Sequence, residues 1–264
     1  MTQSHPGTAL ITGASSGIGA IYAERLARRG HDLILVARNR ERLNALAKRV
    51  SDDTGRSIEV VVADLGERAD LARVEDLLRT DASISVLVNN AGVGATRPLL
   101  ESNIDQLEEL LTLNVNALTR LTYAAVPGFV ARGGGTLINI ASIVAIAPEV
   151  LNGVYGGSKA FVLAFSQSLR HELAEQNVRV QVVLPGATAT DFWGVAGTPL
   201  EHLPEAIVMK AEDMVDAALS GLDQGEFVTI PALPEIADLN DYEAARQKLM
   251  PNLSRSAPAT RYRG

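Results

Sequence analysis

The sequence predicts an α/β protein in three layers, a doubly wound and mostly parallel sheet of seven strands with helices on both faces. Three observations predict it. Short runs rich in Val, Ile and Leu alternate with longer amphipathic stretches. Several of these runs are apolar at nearly every position, as in strands covered on both faces rather than one. A glycine-rich turn, TGASSGIG at residues 12–19, falls directly between the first run and the first amphipathic stretch.

Taken in order, a strand at Thr8–Thr12 leads through that turn into a helix over Ile18–Arg29, which Gly30 closes. DLILVA at 32–37 is a second strand, followed by a helix over Asn39–Ser51. Ile58–Ala63 and Glu67–Thr80 repeat the strand–helix alternation, and ISVLVNNAG at 84–92 is a fourth, nearly all-apolar strand. A long helix is expected over Asn103–Ala131, with a bend at Pro127-Gly128. The glycines at 133–135 separate it from the strand TLINIAS. A helix from the region of Tyr155 to Glu175 and a strand over 178–186 follow. Residues 187–210 lose the periodicity and read as a cover containing short helices. Ala211–Leu222 is a helix and EFVTIP the last strand. The expected organisation is one catalytic domain over 1–250, with its lid at about 187–210, and a polar, basic tail over 251–264.

Composition narrows the function. A chain of 264 residues with 47% hydrophobic and 21% charged residues is an ordinary folded globule. Its net charge of −7 argues against general binding of nucleic acid or anionic membranes. There is no cysteine, hence no disulfide, thiolate nucleophile or thiolate metal ligand. The four histidines never fall into a ligand spacing, and no metal is implied. The start, MTQSHPGTAL, lacks the pattern of a secretion signal, and no apolar run is long enough to span a membrane, so a cytoplasmic setting is the default.

Two motifs carry chemistry. Tyr155 and Lys159 share one helix face, with Ser142 thirteen residues before the tyrosine. An ammonium beside a phenol favours the phenolate and tunes a proton donor toward neutral pH. The bland alternative is an aromatic packing its ring while the lysine seeks water. In TGASSGIG, Gly13, Gly17 and Gly19 permit a tight turn and close approach of a pyrophosphate, which the helix N-terminus then faces with free N–H groups.

The glycine spacing, Asp64-Leu65, NNAG at 89–92, Asn114, Ser142, Tyr155, Lys159 and Pro185-Gly186 occur in order, and with them the chain resembles the classical short-chain dehydrogenases/reductases from about residue 8 to 230. The resemblance implies a Rossmann fold and hydride transfer between a nicotinamide and a carbonyl or alcohol. Tyr155 is then the proton donor or acceptor and Ser142 holds the same oxygen. Lys159 lowers the tyrosine pKa and holds the nicotinamide ribose. Asn114 holds a water linking Lys159 to solvent, or is an interior amide satisfied by backbone. The cofactor set it implies comprises Gly13, Ser15, Ser16, Gly17, Ile18 and Gly19 in the turn, and Asp64 and Leu65 at the adenine, where Asp64 also suits a helix cap. Asn90, Ala91 and Gly92 line the cleft, while Asn89 and Thr12 are structural. Pro185, Gly186, Thr188 and Thr190 sit at the nicotinamide, where Thr188 replaces the branched aliphatic residue common in the family.

At the end of the second strand there is no acid to accept from ribose hydroxyls; Arg38 stands there, with Arg40 nearby. A guanidinium fork suits a 2′-phosphate, so NADP is expected over NAD, although the basic residue many NADP-preferring relatives place before Gly17 is here Ser16. Ile143, Val144, Ile146, Val150, Leu151, Phe192 and Trp193 either line a hydrophobic substrate site or seal the lid. The substrate expected is a small carbonyl compound or alcohol with a hydrophobic portion. The family suggests a homotetramer, with a homodimer as the alternative. Two rival functions are a non-catalytic NADP-binding sensor or scaffold, and a nucleotide-sugar epimerase or dehydratase. Retention of both Tyr155 and Lys159 opposes the first, and the short C-terminal region and glycine spacing oppose the second.

Overall fold

A computed structural model describes residues 6–263. The chain forms two compact units, one running to Pro231 and the other starting at Ala232. In the first, strands β1 (Thr8–Thr12), β2 (Asp32–Ala37), β3 (Ile58–Val62), β4 (Ile84–Asn89), β5 (Gly135–Ile140) and β6 (Val178–Val183) form a parallel sheet. The strand pair β7 (Thr188–Ala189) and β8 (Met209–Lys210) lies apart from it, and β9 (Val228–Thr229) completes seven strands in the order β3-β2-β1-β4-β5-β6-β9.

Alternation within the strands explains the two cores. Ala9 and Ile11 of β1, with Leu33 and Leu35 of β2, face one side of the sheet, while Leu10, Ile34 and Val36 face the other. The first side is covered by α1 (Gly17–Arg28), α2 (Arg40–Thr54) and, later in the chain, a helix at Ala211–Asp223. The second is covered by α3 (Arg68–Thr80) and by the helices between β4 and β6. Each fully buried aliphatic side chain contributes about 1.5–3 kcal/mol, which fixes the strand register because a slip by one residue would exchange the two faces.

The long helix expected over 103–131 is not one regular helix. It consists of α4 (Ile104–Leu111), a π-helical stretch at Thr112–Ala117 and α5 (Leu118–Ala131). Pro127 sits inside α5, and the irregularity falls at Asn114, not at the proline. Then come α6 (Gly153–Glu172), the short α7 (Phe192–Ala196) in the lid, and α8 (Ala211–Asp223). The second unit contains α9 (Ile236–Lys248), a helix with no buried residue. The sequence reading carried the catalytic domain to 250 and did not foresee α9, whose apolar residues are too sparse for an amphipathic stripe. Among the described residues, no helix is long and apolar enough to cross a membrane.

Strand order reverses on either side of β1, so the loops after β1 and β4 diverge at the carboxyl ends of the strands and leave a crevice between them. All the motifs of the sequence analysis gather along that edge.

Candidate active site

The turn after β1 is built for close approach. Gly13 and Gly17 have φ of +65° and +52°, values that penalise side chains, and a Cβ on Gly13 would lie 2.8 Å from Asn90 Nδ2. Thr12 pins the opposite wall. Its hydroxyl accepts from the N–H groups of Asn90 and Ala91, both at 3.0 Å, and donates to the Val88 carbonyl at 3.3 Å. Asn90 donates its side-chain amide to the Thr12 and Gly13 carbonyls at 2.9 and 3.2 Å, so it ties the two loops together. Ser16 caps α1 with no side-chain bond to the helix, and the first turn holds no acid. The N–H groups there are thus left to an anion, which suits a dinucleotide pyrophosphate. Ser15 and Ile18 flank the turn half-buried, and Gly19 is buried beneath it.

At the carboxyl ends of β2 and β3, Arg38 lies 3.5 Å from Asp64. The same carboxylate accepts from the Gly66 N–H at 2.9 Å, so Asp64 does cap the turn into the next helix, and Leu65 beside it is buried. Both charged side chains remain well exposed and available to a ligand.

The expected catalytic group lies at the other end, on α6 and the loop after β5. Asn152 starts α6 by accepting from the N–H groups of Val154 and Tyr155, and its amide donates to the Arg97 carbonyl at 2.8 Å and to Ser102 Oγ at 3.1 Å. This fixes the first turn, and Tyr155 with it. Tyr155, Lys159, Ser142 and Asn114 are 5%, 6%, 8% and 2% exposed, far below ordinary values for such polar groups. Ser142 stands beside the tyrosine hydroxyl and favours its ionised form. The serine is itself placed by the loop after β6, where the Pro185 carbonyl accepts from the Ile143 N–H at 3.0 Å and from Ser142 Oγ at 3.4 Å.

The sequence reading expects Lys159 to lower the tyrosine pKa. In the structure burial dominates and pushes the phenol up to about 12, with Ser142 opposing it. Lys159 Nζ donates to the Ile140 carbonyl at 3.1 Å and stands 5.9 Å from the centre of the tyrosine ring. Burial brings the lysine down to about 8.

Asn114 is wholly engaged as a donor. Its Nδ2 reaches the Val93 carbonyl at 2.9 Å and Ser158 Oγ at 3.2 Å, and its Oδ1 accepts from the Val93 N–H at 2.9 Å. Ser158 in turn donates to the Tyr155 carbonyl at 2.7 Å. Its side chain is thus satisfied within the protein. Gly92 admits this group closely, for a Cβ there would lie 3.0 Å from Asn114 Oδ1 and 3.6 Å from Lys159 Nζ.

Over the site lies the segment expected to form a lid. Thr188 donates to the Gly186 carbonyl at 3.1 Å, and its own carbonyl accepts from the Trp193 indole at 3.0 Å. Thr190 packs against Gly17 across the turn, with its methyl 3.0 Å from where a Cβ would stand. Phe192 lies 5.9 Å from the Tyr155 ring, centre to centre, and its ring covers Gly94 so closely that any Cβ there would overlap it. Val144, Val93, Leu151 and Leu107 complete an apolar cluster around the tyrosine. Ile146 and Val150 are exposed, and Trp193 is buried. A cavity of about 500 Å³ opens beside the lid, lined by Thr190, Asp191, Leu200 and neighbours rather than by Tyr155. Sequence reasoning missed Asn152, Ser158 and Gly94; of these, Asn152 alone carried a local signal, as the cap residue before α6.

The crevice at one end and the buried tyrosine at the other define a class, an oxidoreductase working with a nicotinamide dinucleotide. The family model for the short chain dehydrogenases matches residues 7–199, and the chain belongs to that family. It is similar to a short-chain dehydrogenase from Sphingobium yanoikuyae solved in complex with NADPH, at 50% identity and a TM-score of 0.94 over 97% of this chain and 99% of that one. It is also similar to a bulky-bulky ketone specific alcohol dehydrogenase from Comamonas testosteroni, at 45% identity and a TM-score of 0.90 over 98% and 99%. A very-long-chain 3-oxoacyl-CoA reductase from Anas platyrhynchos is 34% identical over 77% of this chain and 67% of that protein.

Proposed function

We propose that the protein is an NADP-dependent carbonyl reductase or alcohol dehydrogenase acting on ketones with bulky hydrophobic substituents. The observation that carries this reading is the burial of Tyr155, Ser142 and Lys159 together at the floor of an apolar cluster under Phe192. When bound, the dinucleotide supplies or accepts the hydride. In reduction, Tyr155 gives its proton to the carbonyl oxygen, and Ser142 donates to the same oxygen and steadies its developing charge. A phenol near 12 is held in its protonated form at neutral pH, which suits the donor role. Lys159, whose ammonium stands against the tyrosine ring, stabilises the phenolate left behind and has hydrogens free for ribose hydroxyls. Asn114 and Ser158 hold the backbone around both groups.

NADP is favoured by exposed Arg38 at the end of β2 and by the NADPH complex of the Sphingobium relative. Thr188 and Thr190, with Pro185 and Gly186, form the nicotinamide end. The bulky-ketone class is favoured by the apolar lining and by the Comamonas relative. The test follows oxidation of NADPH and NADH with a panel from small aliphatic to diaryl ketones. Faster turnover with NADPH and bulky ketones, lost in Tyr155→Phe and shifted toward NADH in Arg38→Asp, is expected. Equal rates in Tyr155→Phe would overturn the mechanism, and preference for NADH would overturn the cofactor assignment.

A further inference from the structure

Asp191 is the residue before α7 and immediately precedes Phe192. Its Oδ2 accepts from Arg42 Nη1 at 3.0 Å. Arg42 belongs to the first turn of α2, and its backbone N–H donates to the cap residue Asn39 at 2.9 Å. The two partners are 149 residues apart and stand on opposite walls of the crevice. One wall follows β2 and carries Arg38, while the other follows β7 and carries Thr190 against Gly17. A dinucleotide lying from Arg38 to Tyr155 would pass between them.

We infer that the Arg42–Asp191 ion pair is a strap across the cofactor crevice, which slows exchange of the dinucleotide and holds Phe192 down on Gly94 and Tyr155. This deepens the reading above and rests on it for the identity of the ligand. Among the described residues, the polar contacts that fasten the lid fall at its two ends. Its far end is neutral, with the Thr96 N–H and hydroxyl both donating to the Ala196 carbonyl at 3.2 and 2.9 Å, and Thr198 donating to Thr96 Oγ1 at 2.9 Å. Its near end is the charged pair. A cavity bordered by Asp191, Gly194 and Leu200 lies against α7. Asp191 and Arg42 act through Phe192 and the crevice, so they are positioning residues.

Both side chains are more than half exposed, at 70% and 55%. A pair of that kind is weak and screened by salt, which suits a fastening that must open in each turnover. Its loss should speed release by about twofold to fivefold, the factor such pairs are worth. The experiment measures dissociation of NADPH and of NADH by stopped-flow fluorescence in the parent, Arg42→Gln, Asp191→Asn and the exchanged pair Arg42→Asp with Asp191→Arg. Amide hydrogen exchange of residues 192–196 is measured alongside in the protein without cofactor. Expected are faster release of both dinucleotides in either single variant, recovery in the exchanged pair, and a parent rate that rises with salt to meet the variants. Weaker NADPH binding in Arg42→Gln alone, with Asp191→Asn unchanged, would make Arg42 a 2′-phosphate ligand and overturn the strap. If neither dinucleotide binds, the functional reading falls, and hydrogen exchange still decides the strap: unchanged exchange in Asp191→Asn overturns it, and faster exchange upholds it.

Discussion

Lys159 puts a measurable strain on the fold before any cofactor arrives. Burial lowers its pKa from 10.5 to about 8, and a tenfold change in a protonation equilibrium is worth about 1.4 kcal/mol, so the buried charge costs about 3 kcal/mol at neutral pH. The sign follows from proton counting. Between pH 8 and 10.5 the unfolded chain holds the lysine proton and the folded protein does not, so stability rises with pH across that window. Lys159→Met removes the charge at the loss of one hydrogen bond to the Ile140 carbonyl, worth about 1 kcal/mol. The variant should therefore be more stable than the parent by about 2 kcal/mol at pH 7. That advantage should shrink by about 3 kcal/mol as pH climbs through the window, whatever the hydrogen bond is worth. Urea unfolding of both proteins at several pH values from 7 to the upper end of the window reads the difference directly. A difference that stays constant with pH would refute the reasoning, since it would mean that the lysine titrates alike in the folded and unfolded chain.

Other outcomes follow from single contacts. Gly94→Ala should displace Phe192 and lower kcat/KM by about tenfold or more, and adding Phe192→Ala should restore part of it, because the clash is with that ring. Asn114→Ala should destabilise the protein by about 1–3 kcal/mol through the unpaired Val93 groups, read as a lowered Tm. Glu75, almost wholly buried on α3, is raised by burial, but the hydrogen bonds from Arg120 and Arg79 outweigh that and hold its carboxyl below the usual range. Its contribution is present above the ordinary carboxylate range and lost as pH falls through the lowered value, so Glu75→Gln should flatten the acid limb of the stability profile.

The sheet was legible because β1, β2 and β4 are covered on both faces and show it as unbroken apolar runs. The glycine turn was legible because its constraint is local, written in consecutive residues. Asn152 and Ser158 were not, since their value depends on Arg97, Ser102 and Asn114, which the fold alone brings near. The same holds for Arg42 and Asp191, neither of which carries a motif. Tyr155 marks the intermediate case. Its place was evident, but the direction of its pKa shift without cofactor depends on how deeply it is buried, and spacing does not report depth.

The π-helical stretch at Thr112–Ala117 amounts to one surplus residue wound into an otherwise ordinary helix. Each helical residue turns the side-chain direction by about 100°, so this surplus sets the phase between α4, which packs Leu107 and Leu110 toward the tyrosine, and α5, which packs Leu121 and Phe129 under the sheet. Deleting any one of the six would leave a smoother helix and a mistimed one, with one end facing correctly and the other rotated off its partner. Chain length through this segment is thereby fixed more tightly than residue identity: substitutions at its exposed positions should be absorbed, whereas one-residue insertions and deletions should not.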